Sequence, residues 1–284
     1  MKKFISFILM SVSLFSVGNA EINKIDIDVQ VIESKNYYKA NFERPLYTAC
    51  TYRFDNVVKV GDYDIAAYNA ALCRDLKLPS AESPSELLDK WRTAWAFADQ
   101  FCRVGNIGKS ISCNEWYETH PEDKSQELDA FPYGAPYENI SLVYDGYNAD
   151  AHVLGMLLRY DAYLGGGTGA SHIVSDVYYY YDFDEDRRLY LSDLFEKDCN
   201  SVLLESVRQW LSENADEVCL SARPDEVWLS DNWELRTNCI VFIYPKYEIA
   251  CGAAGNVEVP VYVYGCGVSD YLNAKGRALF RVFE

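Results

Sequence analysis

The sequence predicts an α+β fold built mainly from antiparallel sheet packed with a few helices, and three observations carry that prediction. The apolar pattern switches between the period of a strand and that of a helix in the order strands, helices, strands, helix, strands. There is no regular alternation of strand and helix of the kind that makes a parallel sheet. Aromatic residues make up 15% of the chain and all apolar residues 49%, enough for a packed core and too much for a disordered chain.

Residues 1–20 stand apart from the rest. Lys2 and Lys3 form a basic start, an apolar run follows to Val17, and Gly18-Asn19-Ala20 offers small residues for cleavage. That is the layout of a secretory signal peptide, and the run is too short to span a bilayer. A soluble protein, periplasmic or secreted and beginning near Glu21, is therefore expected. Later in the chain no stretch approaches the roughly 20 apolar residues of a membrane helix.

The first strand is expected at 25–31, where Ile25-Asp26-Ile27-Asp28-Val29-Gln30-Val31 alternates strictly. A looser strand pattern covers 47–54, and the alanine-rich stretch 63–76 reads as a helix that Pro79 stops. A second helix starts with Ser83 as cap, Pro84 at its first position and Glu86 completing a capping box. Its apolar face is Leu87, Trp91, Trp95 and Cys102. Residues 105–136 show no period and read as a long loop that Cys113 could pin. Strands follow at 140–144 and 153–164, with Asp145-Gly146 as a turn signal between them. Stretches 174–183 and 188–191 read as a hairpin around Asp184-Glu185-Asp186, 200–215 as a helix, and 233–244 and 257–264 as strands. The division this implies is a signal peptide (1–20), an N-terminal α+β subdomain (21–136) and a C-terminal α+β domain (137–284).

Charge and composition exclude several functions. Acidic residues number 43 against 26 basic, a net −17; without Lys2 and Lys3 the mature chain has 24 basic residues and a net −19. Such a chain repels nucleic acid and anionic lipid, so a charged partner should be basic. His120, His152 and His172 are too few and too scattered for a Ser-His or Cys-His centre. The nine cysteines show neither Cys-x-x-Cys nor metal-ligand spacing, so no metal or other cofactor is expected. In an oxidising compartment at least one disulfide should form, within the C-terminal half or between Cys102 and Cys113. Asp182-x-Asp184-x-Asp186 with Asp193 at the twelfth position imitates a calcium loop, but Arg187 replaces its sharp-turn glycine and the flanks read as strands. A solvated charged hairpin tip is the better reading. Asn139-Ile140-Ser141 is a glycosylation sequon by pattern.

Tyr163-Leu-Gly-Gly-Gly-Thr-Gly-Ala-Ser-His172 poses the functional question. Gly165, Gly166, Gly167 and Gly169 lack the lysine of a phosphate loop, the following helix of a dinucleotide loop and the serine of a nucleophile elbow. A structural turn between two strands is the preferred reading.

Three blocks in order resemble an extracytoplasmic domain of unknown function shared by the lysozyme-sensing anti-sigma-V factor and peptidoglycan deacetylase C. The blocks are Tyr163 with Gly165, Gly166 and Gly169; Leu191, Asp193, Leu194 and Phe195; and Pro245, Tyr247, Glu248, Ile249, Ala250, Gly255 and Val259. The resemblance covers about 137–270. Two departures stand out: Gly167-Thr168 replaces the family's Ala-His, leaving His172 as the nearest histidine, and Lys246 is inserted before Tyr247. Tyr247 and Glu248 are expected as a buried hydrogen-bonded pair, with a ligand-facing pair as the alternative. The resemblance implies no catalytic machinery. It implies an exported binding module for a protein or cell-wall glycan, a cationic lysozyme-like protein being the most specific expectation. An envelope hydrolase using a carboxylate acid/base pair and a structural envelope protein are the alternatives.

Overall fold

A computed structural model of the chain describes residues 25–38, 46–76, 110–112, 137–163, 172–264 and 267–281. The opening alternation extends into β1 (Ile25–Tyr38), which pairs antiparallel with β2 (Leu46–Val60) from Ile25↔Val60 to Tyr38↔Leu46. Helix α1 (Ile65–Asp75) follows, and its cap is Asp64, whose side chain accepts from the Ala66 N–H at 2.9 Å. Tyr68, Ala71 and Leu72 form its buried face at the i, i+3, i+4 spacing of an amphipathic helix. The helix expected from Ser83 to Cys102, with its Trp stripe and the neighbouring Cys113, lies outside the described residues. A short strand, β3 (Ser110–Ser112), pairs with β1 inside the stretch expected to be all loop.

Four strands complete the large sheet: β4 (Tyr137–Asn148), β5 (Val153–Tyr163), β6 (His172–Asp182) and β7 (Arg187–Arg188). The order is β3-β1-β2-β4-β5-β6-β7. Every pairing is antiparallel except β2 with β4, which runs parallel from Ala49↔Tyr137 to Phe54↔Leu142. The sheet thus runs through the 136/137 position where the sequence changes character. Asp145-Gly146 is not the turn it was expected to be. It lies within β4, where the register against β5 shifts between Tyr144 and Gly146. A glycine in a strand marks a bulge as readily as a turn. The reversal comes at 149–152, where Asn148 Oδ1 accepts from the N–H groups of Asp150 and Ala151 at 3.0 and 2.9 Å.

The aromatic run of β6 explains how both faces of this sheet are covered. Side chains alternate along a strand, so Tyr179 and Tyr181, with Phe183 just beyond, join Tyr68 and Leu72 of α1, while Tyr180 enters a second core on the opposite face. Tyr180 stacks on Trp233 at 5.1 Å and its hydroxyl accepts from the Leu235 N–H at 2.7 Å.

That second core is the C-terminal layer. A 3-10 turn (Leu191–Leu194) leads to α2 (Asn200–Glu213), which buries Leu203, Val207 and Leu211. The stretch 233–244, expected as one strand, is a hairpin of β8 (Trp233–Arg236) and β9 (Cys239–Tyr244) reversing at Thr237-Asn238. With β10 (Val257–Tyr262) it forms a three-stranded antiparallel sheet of order β10-β9-β8. A closing helix, α3 (Ala274–Phe280), has no forerunner in the sequence reading; Asn273 caps it by accepting from the Gly276 N–H at 2.9 Å. The architecture is α+β with mostly antiparallel sheet. Among the described residues no helix is long and apolar enough to cross a membrane.

Candidate functional site

Two sequence-distant segments meet at the end of the large sheet where β5 stops and β6 starts. Tyr163 and His172 are cross-strand partners there, and Tyr137 on β4 is the partner of Tyr163 on its other side. The connection 164–171, which holds Gly165, Gly166, Gly167 and Gly169, lies outside the described residues.

Around this strand end the polar groups form one cluster. His172 Nε2 stands 2.9 Å from Asp161 Oδ1, and the Tyr137 hydroxyl donates to the same oxygen at 3.2 Å. Tyr137 Oη and His172 Nε2 are 3.3 Å apart, closing a triangle. Partial burial, then the charge and hydrogen bond of Asp161, raise the Tyr137 phenol above its ordinary value. The triangle stays open to water, with the His172 side chain 46% exposed.

The third sequence block reaches the same place. Lys246 donates from Nζ to the His172 carbonyl at 2.9 Å and lies 5.2 Å from the Tyr247 ring centroid. Pro245 to Glu248 is a β-turn closed by Glu248 N–H to Pro245 O at 3.0 Å. Its third residue is Tyr247 at φ 72°, the left-handed position that a type II turn normally gives to glycine or asparagine. The expected buried pair of Tyr247 and Glu248 is not found: Tyr247 is 61% exposed and Glu248 is also on the surface. The left-handed turn residue swings them outward, and the apolar residues that follow, Ile249 and Ala250, take the buried positions. The Tyr247 ring instead lies against Gly252, where any Cβ would come within 2.1 Å of it.

The acidic hairpin between β6 and β7 joins an exposed tip to a buried base. Its tip is solvated as expected, with Asp184, Glu185 and Asp186 all exposed, but Asp182 at its base is 1% exposed and ion-paired with Lys275 of α3. Asp182 Oδ1 further accepts from the N–H groups of Asp184 and Glu185 at 3.0 and 3.3 Å. Asp184 meets His152 Nδ1 at 2.8 Å, Asp186 receives the Tyr181 hydroxyl, and Asp193 forms a bidentate pair with Arg187 at 2.7 and 3.0 Å. Each carboxylate of the calcium-like run therefore has its own partner.

Two cavities among the described residues flank α2. One of 690 Å³ runs between β7, α2 and residues 229–233, and one of 530 Å³ lies between α2 and Pro224. The smaller carries the exposed carboxylates Glu205 and Asp225 beside Arg208.

This architecture has counterparts. The family model described as Protein of unknown function (DUF3298) matches residues 192–263. A crystal structure of a DUF3298 family member from Bacteroides fragilis superposes with a TM-score of 0.60 at 16% identity, covering 90% of this chain and 97% of the other. A DUF3298 family protein from Pseudomonas aeruginosa reaches 0.49 at 12% identity with the same coverage. At such identity the Bacteroides likeness shows the fold alone. No curated protein matches the chain. The DUF3298-matched segment holds the third sequence block and all of the second except Leu191, and five of those residues, Leu194, Phe195, Ile249, Ala250 and Val259, are buried.

Tyr137, Asp161 and Lys246 are the members of the cluster that sequence reasoning gave no role. Lys246 was visible as an insertion in the third block. Asp161 and Tyr137 carry no motif and become neighbours only through the register of three strands.

Proposed function

We propose that the chain is an exported, non-enzymatic binding module for a cationic protein of the lysozyme type. The observation that carries the reading is Tyr247, an aromatic ring exposed at 61%, held at a left-handed turn and laid on Gly252 beside the exposed Glu248. Strained backbone concentrates at functional positions, and a pre-positioned aromatic beside carboxylates suits the anchor of an interface. Tyr137, Asp161 and His172 extend the same edge with further polar and aromatic surface. The net charge of −17 favours a basic partner and steers its approach. The three sequence blocks shared with the domain of the lysozyme-sensing anti-sigma-V factor and peptidoglycan deacetylase C point to the same ligand class.

The hydrolase alternative would use a desolvated general acid. Glu205 and Asp225, the carboxylates of the 530 Å³ cavity, are both exposed and lack that environment.

Titration of the purified chain with lysozyme tests the proposal. Binding at micromolar strength or tighter is expected at low salt, weakening steeply as salt rises from about 0.05 to 0.5 M. The Tyr247→Ala/Glu248→Gln double variant should lose at least tenfold in affinity with an unchanged melt. No binding at low salt, or full binding by the double variant, overturns the assignment of partner and face.

A further inference from the structure

The segment after α2 and the segment after the Tyr247 turn run side by side. Leu220 and Ala250 form an antiparallel bridge, so the next residues outward, Cys219 and Cys251, stand directly opposite each other. The Cys251 N–H donates to the Cys219 carbonyl at 3.0 Å, and the N–H groups of Ser221 and Ala222 both reach the Ile249 carbonyl, at 2.9 and 3.0 Å. The neighbouring Cys251 thiol raises the Cys219 thiol above its ordinary value. Opposed residues of an antiparallel pair have Cα atoms about 4.5–5.5 Å apart, inside the range of about 4.4–6.8 Å that a disulfide spans. Cys219 is on the surface, where an oxidant can reach it, whereas Cys199 and Cys239 are buried in other clusters.

We propose that Cys219 and Cys251 are a disulfide-forming pair that clips the turn carrying Tyr247 and Glu248 to the segment following α2. The Cys219 thiolate attacks an external disulfide, of glutathione or of a protein oxidant, and expels one thiol to leave a mixed disulfide. The Cys251 thiolate then attacks the Cys219 sulfur and expels the second thiol. Two protein thiols lose two protons and two electrons, and the oxidant's disulfide is reduced to two thiols. The link anchors the exposed turn at one of its ends, and the pairing does not depend on what that turn binds.

The full chain incubated with excess oxidised glutathione, alkylated and digested without reductant, tests the pairing by mass spectrometry. A peptide joining Cys219 to Cys251, two hydrogens lighter than its free-thiol parts, is expected, and Cys219→Ser and Cys251→Ser should each abolish it. The oxidised wild type should melt above the reduced one, and both serine variants should melt like the reduced wild type under either condition. Recovery of both thiols alkylated from the folded, oxidised protein overturns the proposal. So does a stable link from either one to another cysteine or to glutathione.

Discussion

Replacing Lys275 by methionine should destabilise the protein by about 3 kcal/mol. Asp182, 1% exposed at the end of β6, faces Lys275 on α3, whose side chain is 19% exposed. Methionine keeps most of the apolar stem and removes the ammonium, leaving a buried carboxylate without its cation. Breaking a buried pair from one side costs about 3–5 kcal/mol. The lower end applies because Asp182 Oδ1 keeps the Asp184 and Glu185 N–H groups. The reverse change, Asp182→Asn, should cost less. Asparagine still offers an oxygen to those two N–H groups, and Lys275 has Asp184 Oδ2 at 3.6 Å and solvent within reach. The order of stability is therefore wild type, then Asp182→Asn, then Lys275→Met, with the double variant above Lys275→Met because it buries no unpaired charge. Urea unfolding at pH 7 followed by circular dichroism measures all four. A Lys275→Met loss below about 1 kcal/mol, in the range of an exposed pair, would refute the burial argument.

Three other outcomes follow from the structure. The Asp184 carboxyl is held below its ordinary 3.8 chiefly by its hydrogen bond with His152, while at Asp193 burial pushes upward but the Arg187 and Tyr190 hydrogen bonds outweigh it. Depressed folded values contribute stability that is complete above pH about 4 and lost as pH falls through them. The urea midpoint should therefore drop below pH about 4, and less so in Asp193→Asn; equal drops in the two proteins would contradict the assignment. Gly276→Ala in α3 should lower stability by about 1–3 kcal/mol even though alanine is the better helix former, because its Cβ would sit 2.3 Å from the Leu194 carbonyl oxygen. A higher melting temperature would show that this approach relaxes freely. Tyr68→Phe should stabilise by about 1 kcal/mol, since the buried Tyr68 hydroxyl has no hydrogen-bond partner among the described residues. A loss instead would reveal one.

Local pattern located most elements, and it failed where a contact between distant segments decides. The strand at 25–31 and the existence of α1 and α2 were legible because composition is local and side-chain period follows directly from backbone geometry. The turn expected at Asp145-Gly146 became a bulge because β4 had a longer partner in β5 than its own pattern disclosed. Helix α3 is seven residues with an interior glycine, a poor helix on propensity, and it forms against Leu194, which accepts the Asn273 N–H at 3.0 Å.

The sequence by itself determined the α+β class, the period of most strands and helices, and the acidic composition. Those properties reside in single residues or in short windows, where each side chain answers to its own backbone and to water. Tertiary structure alone decided the parallel β2–β4 junction, the burial of Asp182, and the meeting of Tyr137, Asp161, His172 and Lys246. Each depends on register between strands or on a helix 93 residues away from its partner carboxylate. A one-residue slip in any of those pairings would turn the same side chains to the other face without altering the local pattern.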